Sequence, residues 1–257
     1  MLVRFLVLFM VSVSLYAQDV DDVSKYLQEL RETKAPHDVQ AEAREQLILL
    51  RQRLDETSNR QEKASLYMRI SASEQVAGNP DAAIAAARNA HDLAPTDENA
   101  ARSLAGLLLQ NQQKAEVPAL LGVDPSDGAA LVREAARLGS GPLAMYCGEL
   151  AYNLLPNDAK VADTLGMIYL RGLDAQKAQA VFREAELLAP QVATYHYHLG
   201  LAILQSGSRD SAESALKLAL ESNPSESERS GIENALARIK MPMPAQPPTR
   251  VQVPVKK

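Results

Sequence analysis

One cysteine, no tryptophan and only three phenylalanines in 257 residues remove several classes of protein at once. A single thiol forms no internal disulfide, and without a cysteine cluster there is no zinc ribbon, iron–sulfur ligand set or haem-attachment motif. The chain also lacks a GxxxxGK[ST] phosphate loop, an HExxH pair, a GxSxG elbow and a GxGxxG turn following a strand. No segment reads as a buried β-strand. What remains is the composition of an ordinary soluble protein of one or two domains, 46% hydrophobic and 23% charged.

The amino terminus reads MLVRFLVLFMVSVSLYA, with Arg4 ahead of an apolar run from Phe5 to Val13 and small residues before Ala17. That is the layout of a secretory signal peptide over residues 1–17. Its nine to twelve apolar residues make about 14–18 Å of helix, roughly half of a hydrocarbon core. The segment predicts export in a bacterium, to the periplasm or beyond, with cleavage after Ala17 or retention as an uncleaved anchor. After cleavage no stable membrane span is expected.

Loss of Arg4 takes the formal net charge from −5 to −6, and setting aside Arg250, Lys256 and Lys257 of the closing segment leaves −9 on the body. Phosphate backbones are bound by clustered Lys and Arg, so an acidic body argues against nucleic acid. That closing segment, 241–257, reads MPMPAQPPTRVQVPVKK; it is rich in Pro and poor in large apolar residues, the pattern of a disordered tail.

Of the 14 prolines, Pro95, Pro125, Pro156, Pro190 and Pro224 recur along the chain at steps of 30, 31, 34 and 34. A period near 34 points to repeats. Ala159–Val192 carries Leu165-Gly166, Tyr169, Ala178, Phe182, Ala185 and Pro190; Ala193–Glu226 carries Leu199-Gly200, Ile203, Ala212, Leu216, Ala219 and Pro224 at identical offsets. Each unit reads as two antiparallel helices. Small residues sit where axes approach closely, larger ones fill the space between, and proline follows the second helix, which it cannot continue. Ala64–Asp97 repeats the pattern with Ile70-Ser71, Ala83, Ala87, Ala90 and Pro95. Glu98–Ser126 and Asp127–Asp158 are degenerate. Pro118 shortens the second helix of the former, and Gly148 of the latter stands where a large residue is expected, with Tyr146 or Tyr152 to supply the bulk.

The motif resembles the tetratricopeptide repeat, whose Leu-Gly, Tyr, Ala, Phe, Ala and Pro positions are all matched in Ala159–Val192. The fold implied is all-α, a right-handed superhelical α-solenoid of about five such helix pairs over 64–226. Residues 18–63 read as an N-terminal helical cap, with helices at Val20–Thr33 and Val39–Thr57 separated by Pro36, and residues 227–240 as a C-terminal capping helix.

Two histidines, His196 and His198, invite a metal reading, but two residues apart on a helix they point about 200° apart and cannot chelate one ion. His196 reads instead as a packing residue where the family often has an aromatic. Cys147 reads as a small buried thiol, and Asp21, Asp22 and the scattered Glu residues as solvated helix faces. No cofactor, metal or catalytic group is expected, and the chain does not read as an enzyme.

What the resemblance implies is a concave groove lined by first helices, where a partner protein or peptide lies. The family positions that face such a groove fall on Arg133, Arg137, Lys160, Met167, Arg171, Thr194 and Tyr197. The family's clamp for a peptide carboxylate needs Lys and Asn, but Met68 and Ala72 stand at one such pair and Asp163 and Met167 at another. Guanidinium groups pair well with carboxylates, so the basic members of the set suit an acidic peptide or surface. The chain thus reads as a non-enzymatic adaptor of the cell envelope. The alternative is a structural component that self-associates as a homo-oligomer.

Overall fold

The computed structural model describes residues 36–241. The expected signal peptide, the expected Val20–Thr33 helix and all but Met241 of the expected disordered tail lie outside them. All regular structure among the described residues is helical, and the chain divides into two compact units between Glu134 and Ala135.

In the first unit, α1 (Pro36–Glu56) starts on the proline that separates the two expected cap helices. Pro is favoured at the first helical position, where its missing N–H costs nothing. Val39, Ala43, Leu47 and Leu50 form its buried stripe, against Leu66, Ile70, Val76 and Ala77 of α2 (Arg60–Ala77) and Ala86 of α3 (Pro80–Leu93). The helix α2 begins four residues ahead of the repeat frame. Asn59 caps it there, its side chain accepting from the N–H groups of Gln61 and Glu62 at 2.9 and 3.1 Å. Gly78, at φ 86°, ends α2 in the left-handed conformation that glycine adopts without strain. At the small position of this repeat the Ser71 hydroxyl donates to the Ala83 carbonyl at 2.8 Å, bonding α2 to α3.

Asp97 caps α4 (Glu98–Gln110), which buries Leu104, Ala105 and Leu108. Its partner is short, as expected, with Pro118 in its first turn and Gly122 at φ 69° just past its end. A 3₁₀ turn at Lys114–Glu116 leads into a four-residue α5 (Val117–Leu120), tied to α3 by the Arg88 guanidinium gripping both oxygens of Glu116 at 2.7 and 2.8 Å.

Helix α6 (Gly128–Leu138) crosses from the first unit into the second, which continues with α7 (Gly141–Leu154), α8 (Ala159–Arg171), α9 (Ala175–Leu188), α10 (Ala193–Gln205), α11 (Arg209–Glu221) and α12 (Glu226–Lys240). The repeat Asp127–Asp158 therefore forms two real helices despite its degenerate motif. The bulk over Gly148 comes from neither Tyr146 nor Tyr152. A Cβ added at Gly148 would meet Leu165 Cδ1 at 3.1 Å and Ile168 Cδ1 at 3.2 Å, so the next first helix fills the space.

The two strong repeats pack as their motif requires. Gly166 of α8 lies under the Phe182 ring of α9, and Gly200 of α10 under Leu216 of α11, so tightly that an added Cβ would stand well inside 3.0 Å of those side chains. Leu165, Tyr169, Phe182, Leu199, Ile203, Leu216, Ile232 and Ile239 belong to one apolar interior running from α8 to α12. Burial, with Glu149 accepting from it at 2.8 Å, pushes the Tyr169 hydroxyl well above the usual phenol range.

Candidate functional site

The first helices of the second unit, α8 and α10, repeat one another one motif period apart, and α12 stands where the first helix of a further repeat would begin. The frame pairs Lys160 with Thr194 and Glu228, Asp163 with Tyr197 and Gly231, and Met167 with Leu201. Within a helix, residues three and four apart share a face. Met167 and Leu170 on α8, and Tyr197, Leu201 and Leu204 on α10, therefore line one side of the unit. All five are partly buried and pack against its apolar interior. Leu170 and Leu204 were not singled out in the sequence, although a step of three from Met167 and Leu201 reaches them.

The residues expected to be basic recognition groups fare differently. Asp127 caps α6 as Asp158 caps α8, with the N–H of Ala130 and of Val161 bonding the respective carboxylates at 2.9 and 3.3 Å. This match places Arg133 and Arg137 level with Thr164 and Ile168, one step away from the positions of Asp163 and Met167. Both arginines are exposed, and Arg133 belongs to the first unit. Arg171 is exposed but engaged, its Nη1 donating to the Gly139 carbonyl at 3.0 Å. Gln205, at the same position one repeat later, donates to the Leu170 carbonyl at 3.2 Å. Both side chains bond the backbone at the end of the preceding first helix, so this position is a joint of the stack. Lys160 stays exposed in the first turn of α8.

Thr194 and Tyr197 face α12. The Thr194 hydroxyl donates to Glu228, and a Cβ at Gly231 would stand 2.7 Å from the Tyr197 hydroxyl, so glycine there admits the phenol. Asp163, at one clamp position, has its Oδ1 2.7 Å from His198 Nδ1 and joins α8 to α10.

His196 is 3% exposed, with Nε2 2.7 Å from the Pro190 carbonyl and Nδ1 2.6 Å from Glu186 Oε1. A carbonyl only accepts, so Nε2 donates to Pro190, while Nδ1 faces the Glu186 carboxylate. Both ring nitrogens are thus committed to protein partners. Cys147 is fully buried. Among the described residues no group of three or more His, Cys, Asp or Glu is placed to hold a metal ion, and no helix is long and apolar enough to cross a membrane.

Glu228 completes a capping box at the start of α12. The Ser225 hydroxyl first, then the Thr194 hydroxyl and the Ser225 N–H, donate to its carboxylate and hold it below the usual carboxylate range. A group depressed in this way stabilises the fold above that range and loses the contribution as pH falls through its folded value. Glu228→Gln is therefore expected to be less stable than the native chain at pH 7, by about 0.5–1 kcal/mol for a partly exposed group at a helix start. The gap should close on acidification below the carboxylate range. Urea unfolding of both proteins at pH 7 and pH 3 checks this; a gap that persists at pH 3 would locate the effect in packing instead of charge.

No family model and no curated protein matches the chain. Several solved structures are similar to it in fold. The thermophilic TPR protein TTC0263 of Thermus thermophilus is 19% identical, over 68% of this chain and 99% of that one, with a TM-score of 0.40. YrrB, described as a TPR protein with an unusual peptide-binding site, is 17% identical over 72% and 97%, with a TM-score of 0.41. The TPR2AB domain of yeast Sti1 in its pHSP90 complex is 14% identical over 85% and 91%, with a TM-score of 0.42. The fold assignment, helix pairs of tetratricopeptide type, rests on this chain's own register and on the close seats of Gly166 and Gly200.

Proposed function

We propose that the chain is a non-enzymatic protein-binding scaffold of the bacterial cell envelope, and that its second unit takes a partner segment against α8, α10 and α12. The observation that carries the reading is the row Met167, Leu170, Tyr197, Leu201 and Leu204. Met167 with Leu201 and Leu170 with Leu204 recur at matched positions of consecutive first helices, Tyr197 adds to them on α10, and all five are only partly covered. With Arg171 engaged in a backbone bond and Arg133 and Arg137 out of register, the chemistry of this face is apolar more than basic. It suits a segment that offers apolar side chains at regular spacing, with Lys160 at one edge to meet a carboxylate. The envelope location is supported by the signal-like residues 1–17.

The test is a substitution of a partly buried member of the row, compared at equal thermal stability. Leu201→Glu places a charge on the face while leaving Gly200 and its seat on Leu216 intact. Desolvating an unpaired carboxylate in a bound interface is expected to weaken capture by about a hundredfold, roughly 2.7 kcal/mol. In-cell crosslinking with mass spectrometry identifies the partner, and titration of that partner against native and Leu201→Glu protein of equal thermal stability measures the loss. Unchanged affinity would remove this face from the proposal.

A further inference from the structure

We infer that the chain's own carboxy-terminal segment, residues 242–257, is an intramolecular ligand of the apolar face on α8 and α10. The inference rests on the reading of that face as a binding surface and names its resident occupant. The last described residue is Met241, and its carbonyl accepts from Arg209 Nη1 at 2.9 Å, while the same nitrogen contacts the Ile239 carbonyl at 3.3 Å. Arg209 opens α11, just past the short turn that follows α10. The chain therefore leaves α12 beside the end of α10 that carries Leu204, at the edge of the apolar row.

The departing segment supplies the apolar side chains the row calls for. It contains five prolines and the apolar Met243, Val251, Val253 and Val255. Proline-rich chain is pre-extended, so it loses little conformational freedom on docking, and such segments dock aromatic-lined apolar grooves. At about 3.1 Å per residue the segment extends to about 50 Å. Adjacent helices pack about 8–10 Å apart, so crossing α10 and reaching α8 takes about 20 Å. Tethering supplies the rest, since a short flexible linker gives an effective concentration on the order of 1 mM. A segment whose free peptide binds at about 0.1 mM would then hold the face roughly 90% of the time and make an outside ligand compete tenfold.

Two measurements on the mature chain test this. First, p-benzoylphenylalanine is placed at Leu201, and separately at Met167, and irradiated in the full chain. Adducts to residues 242–257 within species of monomer size are expected at one position or both. Tail adducts found only in dimer-sized species would show the tail of a second copy as the occupant and overturn the inference, and no tail adduct at either position would overturn it too. Second, a fluorescent peptide of residues 242–257 is titrated against the full chain and against a chain ending at Met241. The shortened chain is expected to bind it at least tenfold more tightly, and equal binding or none overturns the inference. If the tail fails both tests while Leu201→Glu still abolishes partner capture, the binding face stands and only its resident occupant is wrong.

Discussion

Replacing Gly166 by Ala is expected to destabilise the second unit by about 3 kcal/mol, the upper part of the range for overpacking a dense core. The added methyl would stand 2.6 Å from Phe182 Cδ1 and 2.8 Å from Cζ, and closer still to Cε1. Ordinary carbon contacts begin near 3.4 Å, so either the ring or the helix must move. The ring has no slack, because Phe182 is fully buried. The test is a cycle with Phe182→Ala, which removes the ring. Because the two positions touch, the double variant should lose about 1–2 kcal/mol less than the sum of the singles. Stacked repeats unfold by parts, so amide exchange across α8 and α9 should be followed alongside urea unfolding. Additive losses would mean that Gly166 is chosen for some reason other than the ring above it.

The second large effect belongs to the first unit. Glu74 occupies the place in its repeat that Tyr169 holds in Ala159–Val192, yet it is a carboxylate whose side chain is only 3% exposed. Arg51 of α1 donates to Oε1 at 2.5 Å, and the Asn79 side chain donates to Oε2 at 2.8 Å. Removing the guanidinium by Arg51→Met leaves a buried charge with one neutral partner. Because Arg51 is 61% exposed and water can screen the pair, the loss is expected at about 2–3 kcal/mol, somewhat below that for breaking a fully buried pair. Glu74→Leu removes the charge that needed a partner and restores an apolar residue, so it should cost less than Arg51→Met. Unfolding free energies from urea titration decide the order; if Glu74→Leu proves the more damaging, the pair holds α1 in place by net attraction and not merely by satisfying a carboxylate.

The residues that were legible in the sequence share one property: their role follows from neighbours within a single helix pair. Gly166 and Phe182 stand at the same sequence offset as Gly200 and Leu216, and the helix period brings each couple together whatever the rest of the chain does. The short helix that Pro118 opens is equally local. Of the face proposed on α8 and α10, Met167 and Tyr197 are named by the resemblance to the repeat family, and Leu170 and Leu204 follow from the helix period once that register is known.

Periodicity and proline spacing alone thus determined that the chain forms antiparallel helix pairs and where each of the strong pairs begins, while the positions proposed to face a partner came from the resemblance to the repeat family. Tertiary structure alone decided which polar side chains are already spoken for. Arg171 reaches the Gly139 carbonyl at a sequence separation of 32, Asp163 meets His198 at 35, and Arg51 reaches Glu74 at 23. The cap at Asp127 likewise set the register of α6, which a degenerate motif left open, and Leu165 and Ile168 filled the space over Gly148 from another repeat. The physical reason is range. Helix formation and close axis approach are governed by residues a few turns apart, whereas the partner of a long polar side chain depends on how successive pairs stack, and no local pattern encodes that.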